Sequence, residues 1–139
     1  DKEVDDELTA STVLITALLA QGKQVEAEKE IEGARWLSQQ SQNRFLRLQF
    51  ELISGRVLLE SDHPKISGPL FQEIKRDAKH YGFVGLEFAS DLALAQFANK
   101  TKGGTEGQRE LHGLQKAATS KGFGLIARKA LQQSSVPYE

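Results

Sequence analysis

The stretch Leu14–Ala34, LITALLAQGKQVEAEKEIEGA, decides the fold. Its first half sets Leu14, Ile15, Leu18 and Leu19 at helical spacing, and Gly22-Lys23 then breaks the pattern as a tight turn. Beyond the turn Ala27, Ile31, Ala34 and Leu37 form one stripe. Glu26, Glu28, Lys29, Glu30 and Glu32 form the other, which reads as a solvated charged face. Two amphipathic helices separated by so short a turn bury their apolar stripes against each other, so the unit is a helical hairpin.

The same periodicity continues outward in both directions, with no stretch of alternating apolar and polar residues that would mark a strand. Helices are expected from about Asp6 to Gln21, Val25 to Gln40, Arg44 to Glu60, Val84 to Asn99, Glu106 to Ser120 and Gly124 to Gln133. A further helix ends at Tyr81 and starts after His63-Pro64, with Pro69 either near its start or kinking it. The stretch from Lys100 to Thr105 reads as a loop. Between Arg44 and Glu60 apolar residues occupy most of the helix circumference, so that helix must be covered on more than one side. The fold class is all-α, with about seven helices in one domain spanning 1–139, an acidic linker or cap at 1–7 and a tail at 134–139.

An offset of 40 residues runs through the pattern. It superposes Ala78, Gly82, Phe83 and Leu86 on Ala118, Gly122, Phe123 and Ile126. One step back, Ile31 and Ala34 fall on Phe71 and Ile74, and these on Leu111 and Leu114. On the alternate helices it aligns Leu18 with Leu58 and Ala98, and Ile15 with Gly55 and Ala95, where small residues permit close helix approach. Three hairpin repeats and a C-terminal helix account for the chain.

These hairpins resemble tetratricopeptide repeats, with Leu14, Ile15, Leu18, Gly22, Ala27, Ile31 and Ala34 at the motif's large, small and turn positions. The chain departs from the motif at Ser67 and Gly107, where the second helix of a repeat carries Ala, and it lacks the terminal Pro. Its period also exceeds the family's, which is about 34 residues. The resemblance implies a right-handed α-α superhelix and a peptide-binding groove lined by the first helix of each pair. Carried over residue by residue, the groove positions are Thr12, Thr16 and Leu19, then Gln49, Leu52, Arg56 and Leu59, then Leu92, Gln96 and Asn99, with Lys129 and Gln132 extending the wall. Gln49, Arg56, Gln96, Asn99, Lys129 and Gln132 are the candidate binding residues: amides can bond a peptide backbone and Arg56 can clamp a carboxylate. The stretch ending in KGFGLIARKAL is also similar to the C-terminal repeat regions of bacterial multidomain signalling proteins that carry a kinase or DNA-binding domain.

Composition narrows the chemistry. Leu, Ile, Val and Phe make up 37 of the 139 residues, enough for a core without disulfide or metal. With no Cys, thiol nucleophiles, thiolate metal sites and iron–sulfur clusters are excluded. His63, His80 and His112 have no metal-ligand spacing and read as turn or surface residues, so neither metal nor cofactor is expected. Neither GxSxG nor a phosphate loop is present, and Gly103-Gly104-Thr105-Glu106-Gly107 lacks the required Lys-Ser/Thr. The net charge of −1 weighs against nucleic acid, although Lys75, Arg76, Lys79 and His80, with Lys116 aligned to Arg76, sketch a basic strip. Trp36 and the seven Phe read as core or inter-repeat packing.

No run of 18 apolar residues occurs and the N-terminus is acidic, so no membrane segment is expected, and the corresponding location is cytoplasmic. With no Met anywhere, the chain is expected to be a segment of a longer protein. The functional expectation is a non-catalytic scaffold that binds a protein or peptide segment, in trans or within its own parent chain. The alternative is a homo-oligomerisation module, in which the end helices, Asp6 to Gln21 and Gly124 to Gln133, with exposed Leu125, Ile126 and Leu131, need a cap and two chains cap each other.

Overall fold

A computed structural model describes residues 1–102 and 104–122, and these are mostly helical with no strand among them. The order is α1 (Lys2–Ala20), α2 (Gln24–Gln40), α3 (Arg44–Leu59), a 3-10 turn at Pro64–Ile66, α4 (Ser67–His80), α5 (Val84–Lys102) and α6 (Gly104–Ser120). The expected helix Gly124–Gln133 and the tail 134–139 lie outside the described residues. Contacts divide the chain into two compact units, Asp1–Ile66 and one that begins at Ser67.

In the first unit, α1 and α2 form the hairpin read from Leu14–Ala34, and α3 packs on both. Helix α1 opens at Lys2 rather than near Asp6, because the Asp1 carboxylate accepts from the Glu3 N–H at 2.9 Å and Glu3 and Asp5 place negative charge in the first turn. It stops at Gly22, whose φ of 71° is a left-handed conformation that Gly adopts without steric cost. There Gly22 N–H donates to Leu19 C=O at 3.1 Å and Lys23 N–H to Leu18 C=O at 2.9 Å, the Schellman pattern. The core joins Leu8 and Ile15 of α1, Ala27, Ile31, Ala34 and Leu37 of α2, and Phe50, Ile53 and Val57 of α3. Gln24 stitches α2 to α3, its Nε2 donating to Val57 C=O at 2.9 Å.

In the second unit α5 packs against both α4 and α6. Helix α4 opens at Ser67, with Pro69 within its first turn and Pro64 in the preceding 3-10 turn. It closes on Gly82, φ 76°, with Phe83 N–H donating to Ala78 C=O at 2.8 Å. Phe88, Leu92 and Ala95 of α5 meet Leu111 and Leu114 of α6 in one buried cluster. The loop expected over Lys100–Thr105 is mostly helix, since α5 continues to Lys102 and α6 opens at Gly104.

The 40-residue offset is written into these elements: α2, α4 and α6 end at Gln40, His80 and Ser120. Residues 40 apart share burial, as with Ile31, Phe71 and Leu111, with Ala34, Ile74 and Leu114, and with Leu8, Leu48 and Phe88. Trp36 overturns the expectation that every large aromatic is core. It is 60% exposed, half a helix turn from the Ile31–Ala34 stripe, and Phe45 is exposed as well. Of the other aromatics expected inside, Phe50, Phe71 and Phe88 are buried, Phe83 and Phe97 are half-buried, and Phe123 lies outside the described residues.

Candidate functional site

The charged residues of α4 are largely matched within their own unit. Lys75 Nζ lies 2.7 Å from Asp91 Oδ1, and Arg76 lies 3.9 Å from Glu73 and 3.6 Å from Asp77. The basic strip drawn from sequence is therefore compensated at Lys75 and Arg76, because helical i+1 and i+3 neighbours and the adjacent helix supply carboxylates.

The Lys75–Asp91 pair marks the rim of a cleft of about 420 Å³ in the second unit. Gln72 and Lys75 of α4 line it on one side and Gly113, Leu114 and Ala117 of α6 on the other, with Phe88 and Leu94 of α5 as its floor. A helix can floor such a cleft only when its apolar residues spread round its circumference, and α5 does this by burying Leu86, Phe88, Leu92, Ala93, Ala95 and Ala98 together. Gly113 keeps one wall low: a Cβ built there meets no atom within 4 Å. Lys121 Nζ stands 5.9 Å from the centre of the Phe88 ring, a cation–π contact at the cleft's edge. Phe88, Leu94 and Leu114 offer dispersion contacts, while Gln72, Lys75 and Asp91 offer hydrogen bonds and charge of both signs. The lining thus combines apolar surface with one cation, one carboxylate and an amide.

The sequence-derived groove residues are distributed differently. Gln49 and Arg56 lie seven apart on one stripe of α3, both half-buried. Burial pushes the Arg56 guanidinium below its usual pKa, opposed by the Glu60 carboxylate one turn on. Gln96 and Asn99 are half-buried on α5, and Asn99 Oδ1 is buried with no hydrogen-bond partner. Neither lines the α4–α5–α6 cleft. Lys129 and Gln132 lie outside the described residues.

Two of the apolar groove positions are corrected by the structure: Leu59 and Leu92 are buried. Leu19 is half-buried, packed in part against the first core cluster. Burial of aliphatic area outweighs the register carried over from the motif. On α1 the hydroxyls of Thr12 and Thr16 donate to Leu8 C=O at 2.9 Å and Thr12 C=O at 2.8 Å, which commits their protons to the helix itself.

The cleft was not found from sequence. Its lining comes from three helices, and only Lys75 among its polar residues stood out as part of a local charge cluster. No family model, curated protein or solved structure matches the chain. Among the described residues no helix is long and apolar enough to cross a membrane, and no group of His, Asp and Glu is placed to hold a metal ion.

Proposed function

We propose that the chain is a non-catalytic, tetratricopeptide-like repeat module that binds a protein segment, with the α4–α5–α6 cleft as its recognition site. The observation that carries this reading is the cleft itself: an apolar floor at Phe88 and Leu94 beneath a rim that pairs Lys75 with Asp91. Such a surface takes an aliphatic or aromatic anchor from a peptide and leaves Gln72 and the rim charges to fix its orientation. The 40-residue register supports the repeat reading, and the right-handed superhelix belongs to the same proposal. A place in a bacterial signalling or regulatory protein is the setting that the sequence resemblance suggests.

The test is selection of binders from a displayed library of random peptides, followed by fluorescence anisotropy on the wild-type chain and two variants. Gly113→Leu adds bulk to one wall of the cleft at a site where the new Cβ meets no atom within 4 Å and helix propensity improves. Binding at least tenfold weaker to Gly113→Leu supports the site. Equal binding to Gly113→Leu, with loss in Arg56→Glu/Gln96→Ala, moves recognition to the first-helix stripes.

A further inference from the structure

The α4–α5–α6 cleft changes character along its length. The Lys75–Asp91 pair and the Lys121–Phe88 contact show that α4 and α6 both run antiparallel to α5, so both end beside Phe88. At the far end Gln72, Leu94, Gly113 and Leu114 bring no charge to the lining. At the Phe88 end Lys121 stands over the ring. There too Lys79, exposed, continues the stripe of Gln72 and Lys75 one turn further along α4.

These cations are only partly matched. Lys75 is neutralised by Asp91 at 2.7 Å, and α5 adds the half-buried Glu87 one turn earlier. Lys79 and Lys121 are both exposed, and among the described residues neither is in an ion pair. The repeat register locates the difference on α6. Arg76 of α4 lies 3.9 Å from Glu73 and 3.6 Å from Asp77. Forty residues on, those two carboxylate positions are Gly113 and Ala117, which line the cleft, and no Asp or Glu occurs from Leu111 to Lys121. Small neutral residues where α4 carries acids leave the cleft open and its Phe88 end cationic, with Lys75, Lys79 and Lys121 against Asp91 and Glu87.

On the reading that this cleft is the recognition site, we propose that its ligand is an acidic protein segment. An aliphatic or aromatic anchor lies over Leu94 and Leu114, and an Asp or Glu of the same segment is held by Lys79 and Lys121. The two ends fix the spacing. Phe88 and Leu94 lie six residues apart on α5, about 9 Å along its axis. An extended segment covers that length in two or three residues, at about 3.3 Å each. Basic segments meet like charge at the same place and are rejected. Because the lysines are exposed, one correctly placed acid gains up to about fivefold in affinity.

The probe is a displayed library of random peptides fused through their C-termini, so that every carboxylate available is a side chain's. Binders are sorted into those that Gly113→Leu weakens at least tenfold and those it leaves unchanged. In the first group Asp or Glu two or three residues from the anchor is expected about fivefold more often than Asn or Gln, with Lys and Arg depleted. For the tightest of these peptides, fluorescence anisotropy on Lys79→Glu/Lys121→Glu is expected to show at least tenfold weaker binding. Replacing the peptide's acid by lysine restores affinity on that variant, whereas a misfolded variant binds neither peptide. Absence of an acidic preference in the first group, or undiminished binding to the charge-reversed variant, overturns the proposal and leaves the cleft standing as the site. An empty first group removes the cleft as the recognition site and the proposal with it.

Discussion

At the residue scale, Ser41 and Arg56 show how polar groups decide what apolar patterning leaves open. Ser41 is buried where α2 gives way to α3; its hydroxyl donates to Asp5 Oδ1 at 2.6 Å and accepts the Asn43 N–H at 3.1 Å. Arg47 adds a bond from Nη1 to Ser41 C=O at 3.2 Å. Through this knot the acidic N-terminus, read from sequence as linker or cap, is fastened to the junction of the next two helices. Ser41→Ala is expected to lower unfolding free energy in urea by about 1–3 kcal/mol, with Asp5→Ala/Ser41→Ala costing less than the sum of the singles. Nothing in the local sequence gave this away, since Asp5 and Ser41 lie 36 residues apart. Arg56 is a site residue that sequence did select, but its burial alters its meaning. A cation whose pKa is lowered on folding costs stability wherever both states are charged, and stability rises only as pH climbs past the folded value. Both states stay protonated across about pH 6–9, where arginine is always charged. Arg56→Met should therefore leave the pH dependence of the melting temperature unchanged there and not lower the midpoint.

At the element scale, glycine position separates turns from close contacts. Gly22, Gly82 and Gly122 punctuate the sequence pattern, and all three adopt positive φ at helix ends. That much was legible, because an αL residue after a helix is nearly a glycine property. Gly33 and Gly68 differ from them and from each other. Gly33 sits within α2 with nothing within 4 Å of a Cβ, so Gly33→Ala should raise stability by about 0.5–1 kcal/mol. At Gly68 a Cβ would lie 2.6 Å from Cζ of Phe97, so Gly68→Ala should cost about 1–3 kcal/mol, partly recovered by Phe97→Leu. Thermal unfolding of the three variants checks both signs. The helix ends near Lys102 and Gly104 were not legible, because paired glycines predict a loop only when nothing else holds the helices on either side.

At the scale of the whole molecule, the repeat register makes a stability prediction across both units. Ile31→Ala, Phe71→Ala and Leu111→Ala remove equivalent buried side chains and should each cost about 2–5 kcal/mol, whereas Trp36→Ala, despite its larger side chain, should cost under about 1 kcal/mol. Denaturant unfolding of the four variants distinguishes a shared register from three unrelated cores. Sequence by itself determined the helical class, the hairpin turns and the 40-residue spacing, because periodic burial and glycine punctuation are local physics that act within one or two helix turns. Only the tertiary structure decided which of the apolar stripes are covered, and so left Trp36 open and buried Leu59 and Leu92. It alone assembled the α4–α5–α6 cleft, since a cleft depends on where helices distant in sequence come to rest, and a single stripe of residues carries no record of its neighbours.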